Sequence, residues 1–413
     1  MTEWYVAGGA VRDLLMGRPV HDIDVSFAGG AESFLQCFPQ ARKTGNGLDI
    51  WLVGSTEFTE LAGGPRAENG GDSAEAERSG TAVEADLLSR DLTINAAAVD
   101  SEGRFFCHPR FMEDMRARVL RLASDSALDQ DPLRVFRLAR FAAELPDFSI
   151  APETLEAMRA FAREHRERFD GIARERVGRE LMKAFAAPKP SRFLTVLHES
   201  DCLRPWFQEF VPAAEIPAGP SPWHDNSVLE HTMEVMDRCA GYPLAVWMAL
   251  CHDIGKVRTE ASMLPHHYGH ELKGVDLVKE LGRRFCLPSR WIRAGVVGTL
   301  LHMKGGMYGS LRSGTRRDML CQLRDAHLGH EFWLLTGADG GWDWEPMAER
   351  DLEAMQRVHL PQEWCDRGAE SGRRLRAMQC EAISRLPKIQ PERAANAGDT
   401  PVPAYMKEQG GKA

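Results

Sequence analysis

The strongest constraint on the fold lies near the start of the chain, where Val6-Ala-Gly-Gly-Ala-Val-Arg-Asp13 is followed by His21-Asp-Ile-Asp-Val-Ser-Phe27. Trp4–Ala7 reads as a short strand, Gly8-Gly9 as a turn, and Ala10–Met16 as a short helix stopped by Gly17 and Pro19. His21–Phe27 alternates as a second strand and Asp49–Val53 as another. Strand side chains alternate faces, so Asp22 and Asp24 share one face and Ile23 and Val25 the other. Two carboxylates about 7 Å apart along a strand repel unless a cation sits between them. Magnesium takes one or two carboxylates plus phosphates, and a two-metal site clamps attacking and leaving oxygens. A glycine turn ahead of a helix offers N–H groups to a phosphate, and Arg12 adds a charged fork. A lone D-x-D mostly decorates a solvated strand, and a lone Gly-Gly is mostly a plain turn. Here they stand a dozen residues apart, with Arg12 and Asp13 between them.

The 413 residues suffice for two to four domains at roughly 100–200 each. Hydrophobic residues at 43% and charged ones at 27% exclude a collagen-like, disordered or disulfide-scaffold chain. No apolar run approaches the roughly 20 residues of a membrane span, and Met1-Thr2-Glu3-Trp4 lacks the basic start of a signal peptide. Nine cysteines without a C-x-x-C pair read as reduced thiols, and a cytoplasmic location with no membrane partner is expected. A net charge of −9 does not favour nucleic acid overall. Between Arg110 and Arg192, however, seventeen Lys/Arg face fourteen Asp/Glu, a local excess of +3. Gly63–Ala85 is rich in Gly, Ala, Ser and Glu and reads as a mobile loop. Pro212–Pro222 reads as a linker, and the last thirty residues as a tail with little fold of its own.

A second constellation lies between 227 and 340. Val228, His231 and Val235 fall at i, i+3 and i+7, which puts a histidine on an apolar helical stripe. Asp253 falls on the stripe of Val246, Ala249 and Leu250, where a carboxylate needs a cation or donors. His252 precedes it; His266, His267 and His270 follow, and Asp339 and Asp343 come later.

GGAVRDLLMGRPVHDIDVSF resembles the signature of the class II tRNA nucleotidyltransferases, the CCA-adding enzymes and bacterial poly(A) polymerases of the polymerase-β-like superfamily. Asp86-Leu-Leu-Ser-Arg-Asp-Leu-Thr-Ile-Asn-Ala96 is similar to that family's second motif, and Asp131-Pro-Leu-Arg-Val-Phe-Arg-Leu-Ala-Arg-Phe141 to its nucleotide-selecting helix. The resemblance implies that Asp22 and Asp24 hold catalytic magnesium. It places Gly8, Gly9, Arg12 and Arg90 at the nucleotide triphosphate, Asp131 and Arg134 at the base, and Arg137 and Arg140 at phosphates or ribose. The residues support part of this: Asp131 is a helix cap with Pro132 at the first helical position, and arginines recur every three residues from Arg134. Glu57 and Glu60 are candidates for a third carboxylate. The H…HD…D order resembles the HD phosphohydrolases, which implies His231, His252, Asp253 and Asp339 as ligands of nickel, cobalt, manganese or iron.

The expectation is an α+β chain. A polymerase-β-like head with a small mixed sheet (1–115, insertion 63–85) precedes an all-helical neck and body (116–215). An all-α HD domain (225–345) and a C-terminal helical segment with a tail (346–413) complete it. The expected activity is transfer of CMP and AMP from CTP and ATP to the tRNA 3′ end, beside an HD phosphatase and 2′,3′-cyclic phosphodiesterase. Gln130 and Ser89 replace residues that are often Glu and Arg in the family, and the low-complexity segment replaces an Arg-bearing one linked there to the switch from C to A addition. A CC-only or A-only enzyme and a poly(A) polymerase therefore stand as alternatives, as does a phosphohydrolase with an inactive RNA-binding head. No oligomeric state follows from the sequence.

Overall fold

The structure, a computed structural model, describes residues 2–20, 23–44, 50–61, 82–221, 225–387 and 389–398. The chain divides into two compact units, one of Met1–Phe169 with Glu199–Cys202, the other of Asp170–His198 with Leu203–Ala413. Among the described residues no helix is long and apolar enough to cross a membrane. All nine cysteines are unpaired.

The first unit is built on a mixed sheet of strands β1 (Glu3–Ala7), β2 (Asp24–Ala28), β3 (Arg42–Thr44), β4 (Ile50–Val53), β5 (Thr56–Glu60), β6 (Ala97–Asp100) and β7 (Phe105–Cys107). Their order is β3-β4-β5-β2-β1-β6-β7, with β2 and β5 parallel and the other pairs antiparallel. The period-2 pattern decides what each face buries. Phe27, Phe34, Trp51 and Phe58 cluster on one face, with Trp4 and Val25 packed against them and the helix Gly30–Cys37 supplying Phe34. Tyr5, Ala7, Ala28, Ala96 and Ala98 take the other face, under a helix over 82–88 that contributes Ala82, Val83 and Leu87. Each fully buried ring of this core adds roughly 1.5–3 kcal/mol of transfer free energy. Asp24 and Ser26 fall on the second face, Ser26 buried opposite Tyr5 and Asp24 at the end of β2 opposite Ala7.

The expected strand over 21–27 is observed as Asp24–Ala28, and His21 and Asp22 lie outside the described residues. The low-complexity segment lies outside them up to residue 81, and from 82 the chain is helical. Past the sheet come the helices Phe111–Ala117, Arg134–Glu144 and Pro152–Glu164.

In the second unit the helix Val228–Arg238 opens on a capping box, the Ser227 hydroxyl accepting from the Glu230 N–H and the Glu230 carboxylate from the Ser227 N–H. The helix Pro243–His252 is buried along nearly its whole length, as its unbroken apolar run requires. The helix Ser289–Gly306 lies against it at a small-residue stripe: a Cβ at Gly295 would stand 2.7 Å from Trp247 Nε1, and one at Gly298 3.0 Å from Met248 Cβ. Gly329–Gly340 completes the framework.

Two proline-rich stretches are more ordered than their composition suggests. In the expected linker, Phe210–Ala213 is helical, and Ala218 is buried with its N–H donating to the Asn226 carbonyl. Near the C-terminus, Glu392–Arg393 pairs with Trp342–Asp343 and Ala397 is buried, so part of the expected tail belongs to the second unit.

Candidate functional site

The head site forms where β1 runs through Gly8 into the helix Gly9–Leu15. Gly8 has φ +77° and ψ −136°, a backbone conformation that essentially only glycine populates. A Cβ there would lie 2.7 Å from Arg90 Nη1 and 3.7 Å from Asp24 Oδ2, so the glycine turn, Asp24 and Arg90 meet at one point. Arg90 is aimed by Asp86, whose Oδ2 accepts from its Nε at 3.1 Å and its Nη2 at 3.0 Å. The parallel register sets Glu57 directly beside Asp24, whereas Glu60 pairs with Phe27 on the opposite face. Of the two further carboxylate candidates, Glu57 therefore accompanies Asp24. Hard oxygen donors of this kind suit magnesium.

Arg12, Arg137 and Arg140 surround one ring, their guanidinium carbons 5.1, 5.7 and 3.9 Å from the centroid of Phe141. Each also has a carboxylate: Arg12 donates to Asp13, Arg137 to Asp91 and Arg140 to Glu144. Arg12 is buried, and its Nη1 donates to Asn95 Oδ1 at 2.5 Å. Burial favours the neutral acid at Asp91. Arg137, Asn95 and the Leu92 N–H outweigh it and hold that carboxyl at about 2, against an ordinary 3.8. The expected helix start at Asp131-Pro132 is observed at Arg134; Asp131 Oδ1 instead accepts the Leu133 N–H at 3.0 Å, closing a turn ahead of the helix. Arg134 is fixed by the Ala127 and Ser89 carbonyls and by Gln130 Oε1, which keeps this contact although it is uncharged.

The second site gathers all four residues expected there. His231 Nε2 stands 3.1 Å from Asp339 Oδ1 and 3.3 Å from His252 Nε2. Asp253 Oδ2 lies 3.2 Å from His252 Nε2 and 3.6 Å from His231 Nε2. Asp343 instead accepts the Glu345 N–H, which separates the two aspartate candidates. Burial opposes ionisation of Asp253, but His252 and Lys256 hold its carboxyl well below the usual range. Burial likewise opposes ionisation of Asp339, and the neighbouring His231 and His252 hold it low.

Two more ligand-type side chains converge here. His270 Nε2 is 3.2 Å and His302 Nε2 3.5 Å from Asp253 Oδ1. His267 is otherwise engaged, between Thr259 Oγ1 and the Pro217 carbonyl, and His266 stacks on Tyr268. His270 reaches Asp253 because Gly255 lets its turn press against the helix His270–Arg284; a Cβ at Gly255 would overlap the His270 carbonyl. The sequence reading misses His302. Its signal is faint: a histidine following Gly295, Gly298 and Thr299 on one helical stripe. Buried imidazoles and carboxylates with nitrogens and oxygens this close fit a divalent transition metal.

Comparison with known proteins places each part of the chain in a family. Residues 4–121 match the family model of the poly A polymerase head domain, 147–213 that of a probable RNA and SrmB-binding site of polymerase A, and 228–338 that of the HD domain. The multifunctional CCA protein of Verminephrobacter eiseniae is 38% identical over 295 residues, 69% of this chain and 70% of its own length. That of an Azoarcus species is 36% identical over 292 residues, 69% of each chain. The fold is that of solved CCA-adding enzymes. One in complex with ATP superposes with TM-score 0.63 at 17% identity, covering 99% of this chain and 90% of the other. The Bacillus stearothermophilus enzyme in complex with CTP gives 0.61 at 22%, covering 99% and 93%. At such identity over two thirds of its relatives' length, with head and HD models in one polypeptide, the chain belongs to the family of the multifunctional CCA proteins.

Proposed function

We propose that the protein adds CMP and AMP, from CTP and ATP and without a template, to the 3′ end of tRNA, and that its histidine-rich site hydrolyses phosphate esters such as 2′,3′-cyclic phosphates. The observation that carries the first activity is the meeting of Asp24 and Arg90 at the Gly8 turn. Asp22, Asp24 and Glu57 would hold magnesium, which supplies charge stabilisation at the transferring phosphorus. The turn's N–H groups and Arg90 would bind and orient the triphosphate. Asp131 accepts from an exocyclic amine, which cytosine and adenine carry and uracil lacks, and Arg134 donates to ring or carbonyl acceptors. Its bonds to the Ala127 and Ser89 carbonyls hold the Arg134 guanidinium in one place. Arg12, Arg137 and Arg140, each oriented by a carboxylate around Phe141, would offer N–H donors to the phosphates or ribose. The basic excess between Arg110 and Arg192 suits an acceptor arm held through its phosphates.

Relatives bearing the name multifunctional CCA protein, and solved neighbours complexed with ATP, CTP and tRNA, support this reading. The test is extension of three tRNAs, ending before CCA, in C and in CC, with CTP or ATP alone and together. Complete synthesis gives C addition to the first two with CTP and A addition to the third with ATP. Arrest after CC marks a partial enzyme, and ATP incorporation into unrelated RNA marks a poly(A) polymerase. Asp24→Ala abolishes addition and leaves cyclic-phosphate hydrolysis; His252→Ala does the reverse.

A further inference from the structure

The helix that carries Asp339 is weakest where Asp339 stands. Gly329–Gly340 runs out through Thr336-Gly-Ala-Asp-Gly-Gly341. Glycine is the poorest helix former after proline, and a carboxylate in the last turn faces the negative end of the helix dipole. This end is therefore held by contacts from outside the helix. Gly341, at φ +79°, takes the left-handed stop. A Cβ at Gly337 would stand 2.8 Å from Ala394 Cβ and 3.0 Å from Asn396 Oδ1, so the bare glycine is what lets the C-terminal segment lie against the helix.

That segment is fastened along its length. Glu392–Arg393 pairs with Trp342–Asp343, directly after the helix. The Ala394 N–H donates to the Gly341 carbonyl at 3.0 Å, and Asn396 Nδ2 donates to the Leu334 carbonyl at 3.0 Å. Arg393 Nη2 donates to the Gly398 carbonyl at 2.8 Å, closing the segment on itself, and Ala394 and Ala397 are buried. Arg238 joins both parts: its Nη1 donates to the Ala338 carbonyl at 3.0 Å, and a Cβ at Gly398 would lie 3.0 Å from its Nε. Carbonyls at the end of a helix need such donors from elsewhere in the chain. Residues 392–398 lie well past 228–338, the stretch that matches the HD model.

We propose that residues 392–398 form a strap that positions the hydrolytic site, with Asn396 as the positioning residue. The strap holds the end of the helix and with it the Asp339 carboxylate, 3.1 Å from His231 Nε2. The consequence for activity rests on the hydrolytic reading, whereas the hold on the helix does not.

Gly337→Ala sets two effects against each other. Helix propensity alone would firm this end, because alanine outranks glycine in a helix. The added Cβ, however, meets Ala394 and drives the strap off. The test uses the full chain and follows hydrogen exchange of peptides covering residues 331–341, beside hydrolysis of a 2′,3′-cyclic nucleotide and extension of tRNA with CTP. Gly337→Ala and Asn396→Asp, which keeps the side chain's shape and loses its donor, are each expected to lower protection by roughly 2–12-fold, the range of one lost hydrogen bond. Hydrolysis should fall with it and extension should not change. In an Ala394→Gly background one of the meeting Cβ atoms is gone, so Gly337→Ala should cost less protection there than in wild type. Raised protection in Gly337→Ala, unchanged protection in both variants, or an equal cost in the two backgrounds overturns the strap. Lowered protection with full hydrolysis overturns its positioning of Asp339. If wild type hydrolyses nothing with any divalent metal, the hydrolytic reading falls, and the exchange alone decides the strap.

Discussion

Gly8 and Gly9 are adjacent and identical in sequence, yet the structure predicts opposite consequences for replacing them. At Gly8, alanine must adopt φ +77° and ψ −136°, which costs about 1–3 kcal/mol. Its Cβ also stands 2.7 Å from Arg90 Nη1, and Arg90 yields only by loosening its paired bonds to Asp86, a partly exposed ion pair worth at most about 1 kcal/mol. A central value of about 2 kcal/mol raises the local opening equilibrium about 30-fold. At Gly9 no positive φ is required, and an added Cβ meets nothing nearer than Arg12 Nη2 at 3.5 Å, an ordinary contact. Alanine there begins a helix and is stabilising by about 0.4–1 kcal/mol. Hydrogen exchange of peptides covering residues 3–16, followed against urea, reads this region apart from the rest of the chain. Gly8→Ala should lower its protection and raise the KM for CTP through the displaced Arg90; Gly9→Ala should hold or raise protection. Equal losses, or the greater loss for Gly9→Ala, would refute the assignment of strain to Gly8.

Three further outcomes are expected. Asp91, with its carboxyl at about 2 against 3.8 unfolded, contributes about 2 kcal/mol that is fully present above pH 4 and lost as pH falls to 2. Asp91→Asn should therefore destabilise by that amount at pH 7 in urea unfolding, with the gap to wild type closing between pH 4 and 2. Phe34 is fully buried among Trp4, Trp51, Phe27 and Phe58, so Phe34→Ala should cost about 3–5 kcal/mol and shift tryptophan emission, and Phe34→Leu clearly less. Asp339→Asn should weaken retained cobalt by more than the roughly 10–100-fold typical of losing an outer contact, whereas Asp343→Ala, which loses the acceptor for the Glu345 N–H, should leave cobalt unchanged and cost about 1 kcal/mol in stability.

What could be read in the sequence was what is local. The β1 turn and helix, the β2 alternation and the stripe bearing His231 each announce themselves within one period of a strand or helix. The sheet's outer parts do not. Arg42–Thr44 and Phe105–Cys107 are three-residue edge strands, too short to show a period, and β6 lies in Asn95-Ala-Ala-Ala-Val-Asp100, whose alanines favour a helix until burial between β1 and β7 overrides them. The helix displaced from Pro132 to Arg134 shows the same limit at finer scale, because a capping carboxylate can close a turn before it starts a helix. His302 is the sharpest case. It stands 49 residues beyond Asp253 and reaches it through close helix packing at Gly295 and Gly298. A glycine stripe predicts that two helices approach closely but not which helix is the partner. The His252–Asp253 pair is legible because the two side chains are adjacent at one helix end; His270 and His302 join Asp253 only in the fold, because they come from two other helices.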